Sequence, residues 1–248
     1  MEHLCEIFIT RIMSVFVELK SKLDQAITGV NRYNPNNVET LESCIEAMVQ
    51  ENQYDKDILV TTLKLYQLNP DKYNESVVKL ILLKTMMMAP KSDYALAKYL
   101  IDSSRVVSPE LKRVFDIGAL LESCNFAVFW RLMRGDYRPL DDVNEPFRQP
   151  GEIPKIIRAV PGFEESVRNY ACQVINVTFQ NIEKSLLVRL LGGVSDKQVN
   201  EYARFYGWIP KENGEVYFVQ NHEATIKSRN IEEKLQFDTC KDLLRMCS

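Results

Sequence analysis

The sequence predicts a mainly α-helical protein, in which an N-terminal array of paired helices precedes a C-terminal winged-helix unit with a small β wing. Apolar residues recur at three- and four-residue steps through most of the chain, between turn signals. Near the end, a helix that stops at Gly207-Trp208 is followed by an Asn213-Gly214 turn and an alternating strand pattern. With 248 residues, of which 46% are hydrophobic and 26% charged, the chain is long enough to bury one or two cores.

Residues 1–18 are interpreted as a helical extension that precedes the array. Leu4, Phe8, Ile12 and Val15 share one face of an amphipathic helix that continues beyond residue 18. Acidic residues stand where a secretion signal needs positive charge, so no leader peptide is predicted. Binding to a membrane surface is the less favoured alternative, because the polar face of this helix mixes both signs of charge.

Residues 19–180 are assigned to the helical array, because each apolar stripe begins or ends at a capping residue or a proline. The predicted helices are a segment capped by Asn36, KDILVTTLKLYQL, ESVVKLILLKTMMM, DYALAKYLIDSS, the run opened by Ser108-Pro109, and the run that follows Asn125. The third is apolar nearly all round, which places it between neighbours. No fixed sequence period is present, so the helix pairs are expected to repeat in the fold but not in the sequence.

Residues 135–162 interrupt this pattern and are predicted to form a solvent-exposed loop. Glycines and an Asp-Asp pair lie here, and so do five of the ten prolines. These five are Pro139, Pro146, Pro150, Pro154 and Pro161. A helical segment from Phe163 to Phe179 then leads into the C-terminal unit.

Residues 181–248 are assigned to the winged-helix unit. NIEKSLLVRLLGG is predicted to be a helix that ends at Gly192-Gly193, and Ser195 caps the next helix. EVYFV alternates polar and apolar residues, as a half-buried strand requires, and FDTCKDLLRMC is a last short helix. Helix, turn, helix and wing follow one another in this order.

The charge of this unit argues against direct reading of DNA. Lys and Arg equal Asp and Glu in number within residues 181–248, and the whole chain has a formal net charge of -3. A groove-reading helix needs surrounding cations to neutralise phosphates, whereas Asp196 and Glu201 are interleaved with Lys197 and Arg204. A protein-docking role is therefore favoured. Binding of RNA through a basic stripe formed in space remains the alternative.

No enzyme is predicted, and no residue is assigned to catalysis, to a cofactor or to a metal. The six cysteines are scattered without zinc-ligand spacing, and the two histidines, His3 and His222, lie far apart. The chain has no phosphate-cradling glycine loop and no nucleophile-elbow motif. A thiol enzyme that pairs one cysteine with His222 is the alternative. Buried structural thiols are the favoured interpretation.

Several long stretches carry a resemblance to a known family. These are RYNPNNVETLE, KLYQLNP, LLESCNFAVFW, GFEESVRNYACQVINVTFQNIEKSLL, YGW and IKSRNIEEKLQFD. The chain resembles the PCI family of scaffold subunits, found in the proteasome lid, the signalosome and eukaryotic translation initiation factor 3, and most closely its subunit k family. The resemblance covers about residues 19–237. It implies a HEAT- or TPR-like helical array followed by a PCI-like winged helix.

The resemblance also implies a function and a set of partners. It implies a non-catalytic cytoplasmic subunit that supports small-ribosomal-subunit binding and recruitment of mRNA and initiator tRNA. The implied neighbours are other subunits of the same factor, subunit l first and subunit e second, with neither DNA nor a membrane as a direct partner. A PCI subunit of a proteasome-lid or signalosome type is the alternative. Residues 1–18 and the loop 135–162 depart from the family pattern.

The candidate docking residues lie around the wing and in the last helix, where exposed aromatic and apolar side chains offer area to a partner. Those around the wing are Phe205, Trp208, Val216, Tyr217 and Phe218, and those in the last helix are Phe237, Leu243 and Leu244. The competing interpretation for each is that it packs the winged-helix core, because large aromatic residues are usually interior. Full burial of Phe205 would remove it from the set.

Overall fold

The computed structural model describes residues 14–138, 147, 150–221, 241 and 245, and it confirms the mainly helical fold class with a small C-terminal sheet. The helices within these residues are α1 (Val15–Ala26), α2 (Val38–Gln50), α3 (Lys56–Leu68), α4 (Glu75–Met86), α5 (Asp93–Tyr99), α6 (Pro109–Glu122), α7 (Phe126–Arg134), α8 (Ile153–Arg158), α9 (Phe163–Thr178), α10 (Lys184–Leu190) and α11 (Asp196–Tyr206). The strands are β1 (Asn181–Glu183), β2 (Ile209–Lys211) and β3 (Val216–Phe218).

The helices of the array pack in overlapping layers. Helix α2 contacts α4, α3 contacts α5, and α4 contacts α6, in addition to contacts between helices adjacent in sequence. Helix α4 lies at the centre of this stack, and its buried residues are Val77, Val78, Ile81, Leu82, Leu83, Lys84, Thr85 and Met86. Burial on nearly all sides is what its uniformly apolar sequence predicts.

Most helix starts follow the predicted caps. The Ser108 side chain accepts a hydrogen bond from a backbone N–H of α6, and Asn125 does the same for α7. The start of α2 differs from the prediction, because Asn36 lies in a short 3-10 turn, Pro35–Asn37, that precedes the helix. The Asn34 side chain caps this turn, and Asn37 stands at the N-cap position of α2 without a side-chain capping bond.

Helix α1 runs across residue 18, where the sequence interpretation divides the extension from the array. Phe16 and Leu23 are buried against the rest of the array, whereas Val15 is exposed. Leu4, Phe8 and Ile12 lie outside the described residues. Among the helices of the described residues, none combines the length and the apolar character needed to cross a bilayer.

The proline-rich segment 135–162 is not a loop throughout. From residue 150 it forms a 3-10 turn and then helix α8, in which Ile153 and Ile157 are buried. Pro154 stands in the first turn of α8, where its missing N–H leaves no helical hydrogen bond unmade. This proline therefore marks the start of a helix, and the two isoleucines anchor the helix against α7 and α9.

A close approach between α5 and α6 depends on Gly118. A Cβ atom at this position would lie 1.9 Å from the hydroxyl oxygen of the buried Tyr94. We expect Gly118→Ala to lower the free energy of unfolding by about 1–3 kcal/mol, as overpacking of a tight core does. Urea denaturation measures this change. Gly151→Ala is the control, because a Cβ there meets nothing within 4 Å, and equal stability of the two variants would contradict the expectation.

The winged-helix unit is built on a three-stranded antiparallel sheet in the order β1-β3-β2. Ile182 pairs with Tyr217, and Ile209 pairs with Phe218. The predicted turn is present, since both Asn213 and Gly214 have positive φ between β2 and β3. The sequence interpretation is wrong at residues 181–183, which form strand β1 and not the first turn of a helix.

The array and the winged helix meet at Trp130 of α7, which is 2% exposed. Its Nε1 donates a hydrogen bond to the carbonyl oxygen of Leu190, at 2.8 Å. Gly192 lies so close to the indole ring that a Cβ there would be 2.5 Å from it. The guanidinium of Arg168 lies 4.8 Å from the ring centroid, in cation–π contact. The end of α10 is therefore held against α7 by one tryptophan.

Candidate functional site

Helix α11 is fixed at both ends by its own sequence. Ser195 and Gln198 form a capping box at its start, and Gly207 ends it in the left-handed conformation, with φ of 75°. Val199 and Ala203 are its buried residues. Tyr202 and Tyr206 are half-buried, and the other side chains of the helix are exposed to solvent.

Phe205 is the most exposed of the aromatic candidates, at 81%. Its ring lies edge-on to Tyr206, with centroids 5.0 Å apart, and Tyr206 stacks on Trp208 at 5.5 Å. The Tyr206 hydroxyl donates a hydrogen bond to the carbonyl oxygen of Asn169 on α9, at 3.4 Å. Phe205 thus stands in solvent on a rigid base of stacked rings.

The other candidates divide by burial. Trp208 is 4% exposed and donates from Nε1 to Asn176 at 2.6 Å, and Tyr217 is 3% exposed and donates from its hydroxyl to Asn200 at 3.1 Å. Both therefore pack the winged-helix core, as the competing interpretation allowed. Val216 and Phe218 are half-buried. The three candidates of the last helix, Phe237, Leu243 and Leu244, lie outside the described residues.

A groove of about 470 Å³ lies beside Phe205, between α9 and α11. Its lining residues are Glu165, Asn169, Gln198, Glu201, Tyr202 and Phe205. The Tyr202 hydroxyl donates a hydrogen bond to Glu165 Oε1 at 2.8 Å. Burial, and then this bond to a carboxylate, raise the pKa of the Tyr202 hydroxyl. Apart from Phe205, sequence reasoning missed the groove, because its two walls are 37 residues apart in the chain.

The two edges of the sheet are not equivalent. Val219 N donates to Gln180 O, and Lys184 N donates to Glu215 O. Because hydrogen-bonded pairs alternate with non-bonded pairs along two antiparallel strands, the backbone N–H and C=O of Tyr217 also point toward β1. Pro210 lies opposite Tyr217 in β2, at a position where an N–H would point away from the sheet. Because proline has no N–H, the outer edge of β2 offers no donor at its centre.

The described residues offer little for catalysis. Cys44 and Cys172 are buried, and burial is the main cause that raises the pKa of the first thiol to about 11 and that of the second to about 12. A protonated buried thiol is a weak nucleophile. No cluster of metal-ligand side chains occurs within the part of the chain that the structure describes, and both histidines lie outside it.

Comparisons with known proteins agree on one family. The sequence pattern of the CSN8/PSMD8/EIF3K family matches residues 72–230. The eukaryotic translation initiation factor 3 subunit K of Brugia malayi is 96% identical over 232 residues, which are 94% of this chain and 98% of the relative. The protein of that name in Caenorhabditis elegans is 61% identical over 92% of this chain and 95% of the relative.

A distant relative shows the same relationship along most of the chain. The human eukaryotic translation initiation factor 3 subunit K is 33% identical over 232 residues, which are 94% of this chain and 98% of the relative. The resemblance found in the sequence is therefore confirmed. The matches span both the helical array and the winged helix, so the relationship is not confined to one unit. The chain belongs to the CSN8/PSMD8/EIF3K family, in its eukaryotic translation initiation factor 3 subunit K branch.

Proposed function

We propose that this chain is a non-catalytic scaffold subunit of eukaryotic translation initiation factor 3. In this role it acts in the cytoplasm and supports binding of the small ribosomal subunit and recruitment of mRNA and initiator tRNA. It does so through contacts between proteins. Support comes from relatives named as subunit K, from nematodes to human, which match 92–94% of this chain.

The structural observation that carries a docking role is the exposure of Phe205 on a rigid and charge-balanced helix. An exposed aromatic ring loses little side-chain entropy when it is covered, and aromatic residues are enriched among the residues that dominate binding energy. The half-buried Val216 and Phe218 extend the proposed contact area, and the buried Trp208 and Tyr217 hold its base in place.

The proposed partners are other subunits of the factor. Subunit l is proposed as the nearest neighbour and subunit e as a second, on the strength of the sequence resemblance. The small ribosomal subunit is reached through the assembled complex. Phe237, Leu243 and Leu244 of the last predicted helix are proposed as additional contact residues.

The charge of α11 disfavours the RNA alternative. Lys197 and Arg204 are balanced by Asp196 and Glu201 on the same exposed face. Affinity for a polynucleotide comes largely from cations that displace counterions, and this helix supplies no excess of them. We therefore expect the full-length chain to bind single-stranded RNA weakly even at low salt.

Purification of the tagged full-length chain from nematode cytosol tests the proposal. We expect the other subunits of initiation factor 3 to dominate the co-purifying proteins, with subunit l in near-equal amount. Chemical cross-linking then identifies which of them contact the winged helix. A set of proteasome-lid or signalosome subunits in their place, or no subunit at all, would overturn the proposal.

A further inference from the structure

The groove between α9 and α11 is more acidic than the winged helix as a whole. Glu165 and Glu201 line it, and no Lys or Arg is among its lining residues. Arg168 of α9, which contacts the lining residue Glu165, is shared between Glu164 and Glu165, each at 3.4 Å. Its Nε also donates to the carbonyl oxygen of Leu191, at 3.2 Å. One guanidinium therefore partly neutralises two carboxylates. Glu201 forms no ion pair among the described residues, and the exposed Lys197 and Arg204 lie one helical turn from it without bonding to it.

One of the two carboxylates of the groove, that of Glu165, is positioned by a hydrogen bond. The hydrogen bond from Tyr202 positions one oxygen of Glu165, and the long contact with Arg168 leaves the other oxygen weakly engaged. Asn169 adds a side-chain amide on the same helix. A preorganised carboxylate binds a cation with a smaller entropy loss than a mobile one does.

The apolar wall of the groove is formed by aromatic rings. Phe205 stands at the rim and is 81% exposed, and the Tyr202 ring lies one helical turn before it. The exposed face of an aromatic ring attracts a cation, and the alkyl stem of Lys or Arg packs on it. At about 470 Å³, the groove falls within the range of roughly 300–1,000 Å³ that is typical of binding clefts.

We infer that this groove binds a segment of a partner subunit in which a Lys or Arg stands beside an apolar side chain. The basic residue meets the carboxylates of Glu165 and Glu201, and the apolar residue covers Phe205. This inference rests on the proposed function, because it assumes a neighbouring subunit as the source of the segment. An RNA phosphate or an anionic membrane would instead be repelled by the same two carboxylates.

Two exposed substitutions test the inference in the full-length chain. Phe205→Ala removes the apolar rim, and Glu201→Lys reverses the charge of one wall. The probe is the initiation factor 3 complex purified from Caenorhabditis elegans cells depleted of their own subunit K. We expect each variant to bind this complex about tenfold or more weakly than the unmodified chain, as loss of a central contact does. The penalty of Glu201→Lys should shrink as salt is raised.

Two control variants show whether an effect is specific to the groove or arises from any loss of an exposed ring or any reversal of a surface charge. Tyr99→Ala removes a ring that is also 81% exposed, and Glu39→Lys reverses an exposed charge on α2. Both controls should bind like the unmodified chain. Circular dichroism should show that all four variants fold, since each replaced side chain is exposed.

The possible outcomes distinguish the inference from the proposed function. If the unmodified chain binds the complex and the two groove variants bind as well as the controls, the inference is wrong while the proposed function stands. If the unmodified chain does not bind, the proposed function itself fails. If Glu201→Lys strengthens binding to the complex while the Glu39→Lys control does not, the occupant is anionic and the inference is overturned.

Discussion

Replacing Trp130 with alanine is expected to lower the free energy of unfolding by about 3–5 kcal/mol, the usual effect of truncating a buried tryptophan. The residue is 2% exposed, and its Nε1 bond to Leu190 and its contact with Arg168 are lost together. Because these contacts join α7 to the end of α10, the winged helix should lose stability before the array does.

Tryptophan fluorescence can test whether the winged helix unfolds before the array. The chain has two tryptophans, so in Trp130→Ala the fluorescence comes from Trp208 alone and reports the winged helix. We expect its urea midpoint to fall below the midpoint measured by far-ultraviolet circular dichroism. Trp130→Phe is the control, since it keeps most of the buried area and loses only the N–H donor, and its effect should be smaller. Coincident and unshifted transitions in the alanine variant would contradict the expectation.

Lys84→Met is expected to raise the free energy of unfolding at neutral pH by roughly 1–4 kcal/mol, as replacement of buried charges by apolar groups often does. The lysine is 2% exposed, its Nζ donates to Asn52 Oδ1 at 3.0 Å, and it forms no ion pair with a carboxylate of the described residues. Burial without a counter-charge disfavours the ammonium form. Met has a similar shape and leaves only Asn52, an exposed side chain, to be bonded by water.

The pH dependence follows from the same burial, which lowers the pKa of Lys84 below its ordinary value of 10.5. Between the folded pKa and 10.5, the unfolded chain binds more protons than the folded chain, so the free energy of unfolding contributed by this group rises with pH. The destabilising effect is complete below the folded pKa. The advantage of Lys84→Met should therefore shrink as pH approaches 10.5.

Urea denaturation of both proteins from pH 7 to 10.5 measures this difference. Lys112→Met removes an exposed lysine of α6 and should leave stability nearly unchanged at every pH. A Lys84→Met protein that is less stable than the unmodified chain would show that the buried ammonium is a net stabilising group.

The features that were predicted correctly are encoded by neighbouring residues. Ser195 and Gly207 bound α11 as caps, and the Asn213-Gly214 turn joins β2 to β3. Each of these signals acts within a few residues, through a side chain or a left-handed backbone, so periodicity and capping rules are sufficient to find it. The exposure of Phe205 follows from the same helical periodicity.

The features that were missed depend on residues far apart in the chain. Strand β1 has only three residues, and its central Ile182 is stabilised by Tyr217, 35 residues later. A segment this short has no measurable period of its own. The groove requires α9 to lie beside α11, and the role of Trp130 depends on Leu190, 60 residues away. No pattern among neighbouring residues predicts either arrangement.

Pro210 limits how this sheet takes part in larger structures. A strand edge with free donors and acceptors recruits further strands, and a sheet with two such edges propagates into open filaments. Because the centre of its β2 edge lacks a donor, this sheet is expected to add a further strand less readily on that side than on a side with a complete row of donors. Head-to-tail pairing of excess copies through the wing is therefore disfavoured on the β2 side.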